Sequence, residues 1–208
     1  MSKFEFLKPD KSKLFASVAL GLVFAILMSL ACFDARCEEV RDNLLRLHIL
    51  ANSDSEADQS VKLKVRDALL EECSDLFEGA SSIDEAAALA KANLPRLQKV
   101  AQEVLKDEGM DYGAAAEVAP TDFNTREYGE LTVPAGEYLA VQVLLGEGQG
   151  QNWWCVCFPN ICLGSAAGKV DDALDKSGQA VVKGGQKFKV KFKIVEIYEM
   201  VKAKLKNT

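Results

Sequence analysis

Histidine occurs once in these 208 residues, as His48, and proline only five times. A single imidazole argues against a zinc enzyme, whose open metal site recruits several histidines or carboxylates. The chain has no Gly-x-Ser-x-Gly elbow, no Walker-type phosphate loop and no Cys-x-x-Cys pair. It therefore offers no hydrolase nucleophile on a strained turn, no nucleotide cradle and no thioredoxin-type redox pair. Positive charge is also short: 25 Lys and Arg stand against 31 Asp and Glu, for a net charge of −6. That balance gives no global attraction to nucleic acid. No internal repeat is visible.

What is present begins at the N-terminus. Lys3, Lys8, Lys11 and Lys13 precede an uncharged stretch from Leu14 to Phe33. Roughly twenty apolar residues suffice to cross a hydrocarbon core as a helix, and leading positive charge favours a cytoplasmic N-terminus. Residues 1–36 thus read as a signal peptide or a membrane anchor, and both readings stay open. Either places the rest of the chain outside the cytoplasm, where disulfides persist.

The body reads as α+β. Leu45 to Ala51 has the alternation of a strand buried on one face, which puts Arg46 and His48 together on the other. Asn52-Ser53-Asp54-Ser55 is a turn, with Ser55 and Asp58 as a capping box for a helix to about Glu78. Ser82 and Glu85 start a second helix, whose apolar period runs past Pro95 to Gly109 and reads as kinked, not broken. From Tyr112 the period shifts toward two. Gly113–Pro120, Tyr138–Leu145 and Trp153–Phe158 read as strands, with a loop through Gly129, Pro134 and Gly136. Leu163 to Gln179 reads as a linker, Phe188 to Phe192 as an amphipathic strand, and Ile194 to Leu205 as a helix. The expected architecture is an N-terminal strand and two helices packed on one face of a mostly antiparallel sheet, with a C-terminal helix. The expected divisions are 1–36, a signalling domain over 37–163, and a lysine-rich tail over 164–208.

The run Gly146-x-Gly148-x-Gly150-x-Asn152-Trp153-Trp154-Cys155-Val156-Cys157-Phe158-Pro159-Asn160-Ile161-Cys162 concentrates both tryptophans and half the cysteines of the chain. Cys155 and Cys157 face one side of a strand, and Cys162 follows a Pro-Asn turn that can fold the chain back. A Cys155–Cys162 or a Cys157–Cys162 disulfide is sterically reasonable, the first being favoured. Adjacent strand residues point opposite ways, so at most one tryptophan is fully buried, and the other is a candidate partner anchor. Arg46, His48 and Asn52 neighbour a helix whose Asp58, Gln59, Lys62 and Arg66 recur at helical spacing. That pattern fits an ion-paired solvated face or a polar recognition surface. A hydrolase pairing His48 with Asp54 or Asp58 is a further reading. So is a wall- or membrane-binding module using the tail lysines, from Lys183 to Lys206.

Two separated segments then match one family. Leu45-Arg46-Leu47-His48-Ile49-Leu50-Ala51-Asn52-Ser53-Asp54-Ser55 is followed by Asp58-Gln59, Lys62-Leu63-Lys64 and Val65-Arg66-Asp67. Far downstream come Tyr128-Gly129, Pro134-Ala135-Gly136-Glu137-Tyr138 and the glycine–tryptophan–cysteine run through Cys162. Together they resemble the stage II sporulation protein R family over roughly Leu45 to Leu163. Cys157 and Asn160 depart from its pattern, which has an aliphatic residue and a proline there. The resemblance implies a signalling protein made in the forespore and exported into the space between forespore and mother cell. There it would trigger the membrane protease that removes the pro-sequence of sigma factor E. It implies a ligand, with no catalytic residues, cofactor, nucleic acid or small-molecule substrate. The candidate partner-binding residues are Arg46, His48, Asn52, Asp54, Asp58, Gln59, Lys62, Arg66, Asn152, Trp153 and Trp154.

Overall fold

The computed structural model describes residues 11–77, 79–159 and 174–206. The chain divides into two compact units, Met1–Ala35 and Arg36–Thr208. The first is most of helix α1 (Lys11–Asp42), which is long and apolar enough to cross a membrane, with mean hydropathy 2.5 over its most apolar window. Leu14, Phe15, Leu20 and Phe24 are exposed. Such a helix is compatible with a signal segment or a membrane anchor.

In the second unit, β1 (Leu45–Leu50) leads to α2 (Glu56–Leu76), α3 (Ile83–Ala92) and α4 (Leu94–Asp107). Strands β2 (Ala114–Phe123), β3 (Arg126–Tyr128), β4 (Leu131–Val133), β5 (Gly136–Leu145) and β6 (Asn152–Phe158) follow. Helices α5 (Lys176–Lys183) and α6 (Gly185–Lys206) close the chain. The main sheet has the order β2-β5-β1-β6. Only β1 with β5 is parallel; β2–β5 and β1–β6 are antiparallel. β3 and β4 form a separate hairpin, with Gly129 at φ +61 in its turn. The α+β class and the mostly antiparallel sheet agree with the sequence reading.

Period two on β1 splits the interior into two cores. Leu45, Leu47 and Ile49, with Val141, Val143 and Leu145 of β5, pack against Val61, Val65 and Leu69 of α2 and Leu97, Ala101 and Leu105 of α4. The opposite face carries Arg46, His48 and Tyr138. It is covered by the end of α1, the β3–β4 hairpin, α5 and α6, which bury Val40, Leu131, Val133, Val181, Val182, Phe192 and Val195. Helices therefore lie on both faces of the sheet, where the sequence suggested one. The expected solvent face of β1 became a second core because the C-terminal third of the chain supplies enough apolar surface to cover it.

Three local expectations are corrected. The helix read through Pro95 is two helices. Asn93 closes α3 by donating from its backbone and its side chain to the carbonyl of Leu89 (3.0 and 2.9 Å). Pro95 then sits in the first turn of α4, where its missing N–H removes no helical bond. Phe188–Phe192 is helix, part of α6, not strand. Five alternating residues are too few to fix a period, and Phe192, Val195 and Glu199 bury one helical stripe instead. The end of the supposed linker, from Lys176, is the first turn of α5. Asp175 caps it by accepting from the amides of Ser177 and Gly178 (2.6 and 2.8 Å). The remainder of that linker, and Cys162, lie outside the described residues.

Candidate functional site

The carboxyl ends of β1 and β5 meet the start of β6, and a polar clamp ties the three together. Asn52 donates to Asp58 Oδ2 (3.0 Å), and its own Oδ1 accepts from the Glu147 amide (3.0 Å). The amides of Gln149 and Gly150 donate to the carbonyls of Asn52 and Ala51 (3.2 and 2.8 Å). Asp54 Oδ1 accepts from the Gln151 amide (2.7 Å), and Lys62 Nζ donates to the Gln151 carbonyl (2.9 Å) and to Gln59 Oε1 (2.5 Å). Gln59 in turn donates to the Ser53 carbonyl (2.9 Å). Two glycines permit this closeness. Gly146 has φ +58 and lies where a Cβ would overlap the Asn52 side chain, and a Cβ on Gly150 would overlap the Ser53 carbonyl.

Asp58 is the hub. Its carboxylate accepts from Ser53 Oγ (2.5 Å), Asn52 Nδ2 (3.0 Å) and the Tyr112 hydroxyl (2.5 Å). Burial alone would raise its pKa, but hydrogen bonds from Ser53, Tyr112, Asn52 and Ser55 outweigh burial and bring it to about 2. A carboxyl group held that far below neutrality is a poor proton shuttle. Ser55 caps α2 as expected, accepting from the Asp58 amide (3.1 Å). Lys62 is also buried, and loss of hydration lowers its pKa against the pull of Asp54.

On the face away from α2 lies an aromatic box. The Arg46 guanidinium stacks on Phe123, with Cζ 3.9 Å from the ring centroid, and faces Tyr138 at 5.0 Å. It donates to the Tyr128 hydroxyl (2.7 Å) and the Cys155 carbonyl (3.4 Å). His48 sits between Phe123 and Trp154, with centroids at 5.8 and 6.1 Å. Burial lowers its pKa, the interaction with the Asn152 side chain opposes that, and the Arg46 charge adds to the lowering. Arg126 covers Trp154 from outside, 4.1 Å from its centroid.

The two tryptophans diverge as strand geometry requires. Trp154 pairs with His48 and belongs to the box; Trp153 pairs with Ile49 and turns to the α2 face. There Arg66 lies over it at 5.4 Å. Both rings are partly exposed. The structure thus joins Arg46, His48, Asn152 and Trp154 into one cluster. Asn52, Asp54, Asp58, Gln59 and Lys62 form a second, and Arg66 with Trp153 a third. It does not join His48 with Asp54 or Asp58, because α2 begins on the other face of the sheet. Among the described residues, no group of three or more His, Cys, Asp or Glu side chains could hold a metal ion.

The profile of the stage II sporulation protein R family (spore_II_R) matches residues 41–167, from just before β1 to past β6. The chain belongs to that family. A stage II sporulation protein R of Bacillus subtilis (strain 168) is 40% identical over 123 residues, which is 59% of this chain and 55% of that protein. This chain thus matches little more than half of that relative's length. No solved structure matches. The matched region contains all three clusters, and family membership supports a role in sporulation. Within it, Tyr112, Phe123, Tyr128 and Tyr138 complete the clamp and the box, and sequence reasoning did not single them out for those roles. The signal available was Tyr128 and Tyr138 inside the family's own motifs. Tyr112 and Phe123 carried none, since their partners are remote in sequence.

Proposed function

We propose that this chain is an exported sporulation ligand that switches on the membrane protease processing the sigma factor E precursor. Its working surface would be the rim around Trp153, Arg66 and the 146–151 loop. The observation that carries this reading is the family match across the whole β1–β6 body. The N-terminal apolar helix supports export or anchoring. The geometry supports a binding role, because the clamp holds the rim rigid while leaving Trp153 partly exposed and capped by a charged side chain. Arg46 and His48, by contrast, are buried and act as scaffold for that rim.

Co-expression of the precursor and its protease, with and without this protein, tests the reading by immunoblot of processing. Wild-type protein triggers processing. Trp153→Ala, still folded by circular dichroism and still exported, shifts the dose required by at least roughly thirtyfold, as loss of a ~2 kcal/mol anchor does. Processing that ignores the protein altogether sinks the functional reading. Processing at wild-type dose with Trp153→Ala sinks only the placement of the surface.

Export also bears on the cysteines, and we propose that Cys155 closes with Cys162. Cys157 has other neighbours: its thiol lies 3.4 Å from the Leu45 carbonyl, and burial together with a hydrogen bond to Cys73 pushes its pKa up. Like Cys32, Cys37 and Cys73, it takes part in no disulfide. A loop of this size gives roughly 2–3 kcal/mol of stability by the chain-entropy treatment. Non-reducing peptide mapping of exported protein should recover the Cys155–Cys162 cross-link. Recovery of both as alkylated thiols overturns it.

A further inference from the structure

Helix α6 carries two apolar stripes where a surface helix needs one. The inner stripe, Phe192 and Val195, is buried against the body, and beside it Glu199 lies 3.9 Å from Arg41. The outer stripe is Val190, Ile194, Ile197, Val201 and Leu205, spaced by three or four residues and therefore aligned along one side of the helix. All five are exposed, from 40% at Ile194 to 74% at Leu205. Lysines flank this outer stripe on both sides: Lys191 and Lys202 on one, Lys193 and Lys204 on the other. The helix holds seven lysines and only two glutamates, and both glutamates lie toward its inner half. This concentration of positive charge stands out in a chain of net charge −6.

We infer that the outer face of α6 lies on an anionic lipid surface, the apolar stripe entering the headgroup boundary and the flanking lysines meeting lipid phosphates. An apolar face bordered by lysines is what an interfacial helix presents, and each lysine near an anionic leaflet adds about 1 kcal/mol. Charge decides between occupants. A second copy seated on the same face would set lysine rows against lysine rows, with no carboxylate on that half to offset them. The pairs Lys193–Glu196 (2.9 Å), Lys202–Glu199 (3.3 Å) and Lys206–Glu137 (2.8 Å) are exposed on the lysine side and hold those lysines only weakly. The N-terminal apolar helix supplies the occasion, since a chain carrying it is delivered to a bilayer. The inference does not depend on the protease reading.

The test uses the full chain reconstituted into vesicles of phosphatidylethanolamine with phosphatidylglycerol, and into vesicles of phosphatidylcholine alone. A Cys32→Ser background removes the native cysteine that is exposed among the described residues. An environment-sensitive fluorophore is placed through Val201→Cys, and in a separate protein through Glu130→Cys in the exposed β3–β4 turn as reference. With a quencher in the lipid acyl chains, the label at 201 should be quenched in anionic vesicles and much less in phosphatidylcholine, and the reference in neither. Lys191→Ala with Lys202→Ala should lower the ratio of membrane-seated to free helix by roughly twenty-fivefold, about fivefold per lysine. Three results overturn the inference. One is a label at 201 as unquenched as the reference in anionic vesicles. Another is equal quenching in both lipids. The third is protection that rises with protein density without quenching, which assigns the face to a second copy or another protein.

Discussion

Arg46→Ala lowers the melting temperature by on the order of 10 °C, the largest loss expected from any single change on β1. The Arg46 side chain is fully buried. Removing it opens a cavity between Phe123 and Tyr138 and strips the Tyr128 hydroxyl and Cys155 carbonyl of a donor. Truncating a buried side chain of this size costs about 3–5 kcal/mol, and in a domain of this length each kcal/mol is worth about 2–4 °C. Arg46→Met should recover more than half of the loss. It keeps the volume and removes a buried charge whose Nη1 has no hydrogen-bond partner among the described residues; replacing such charges by apolar groups is often neutral. Arg46→Lys should recover less, because an ammonium cannot stack as a planar guanidinium does. Thermal melts followed by circular dichroism decide this. An Arg46→Ala protein melting within two or three degrees of wild type, on the order of 1 kcal/mol, would return Arg46 to the candidate binding residues.

Asp58→Ala should cost roughly 3 kcal/mol or more, since it leaves Ser53, Asn52 and Tyr112 without their charged acceptor, and bonds to charged groups are worth about 1.5–3 kcal/mol each. The same carboxylate writes a signature into the pH dependence. Its folded-state pKa of about 2 lies below the ordinary 3.8. The unfolded chain therefore takes up its proton first as pH falls. The stabilisation is complete above about pH 5 and is lost progressively as pH drops through 3.8 toward 2. Urea unfolding of wild type should weaken across that window, and Asp58→Asn should flatten the slope. Identical slopes in the two proteins would show that the clamp carries no such linkage.

Much of this was legible locally. Leu45, Leu47 and Ile49 alternate with Arg46 and His48, which located β1 and its two faces. Ser55, Ser82, Gly79 and Gly109 marked helix ends through cap chemistry that needs only near neighbours. The family motifs located the clamp, since Asn52, Asp58 and the glycine run all lie within them. What stayed hidden depended on distant chain. The bond from Tyr112 to Asp58 spans 54 residues and leaves no periodic trace. The face holding Arg46 looked solvated because its cover comes from the end of α1 and from residues 131–133 and 174–206. In that cover the alternation Phe188-Lys189-Val190-Lys191-Phe192 imitates a strand. Two apolar stripes blur the amphipathic contrast over the first turns of α6, while Ile194 to Leu205 kept enough helical spacing to be read as helix.

The place of β1 in the sheet sets an order of events. It is the first strand made, yet it sits between β5 and β6, with Leu47 beside Val141 on one side and Cys155 on the other. On any N-to-C passage, from a ribosome or through a translocon, β1 emerges with both edges vacant and stays so until residues 136–158 follow. Its contacts are long-range, and long-range strand pairing forms slowly. Helices α2 to α4 can cover one side of it in the interval, but neither hydrogen-bonding edge. The waiting strand is thus the point where a chaperone or a second emerging chain would capture the molecule, and its apolar Leu45, Leu47 and Ile49 are what they would hold.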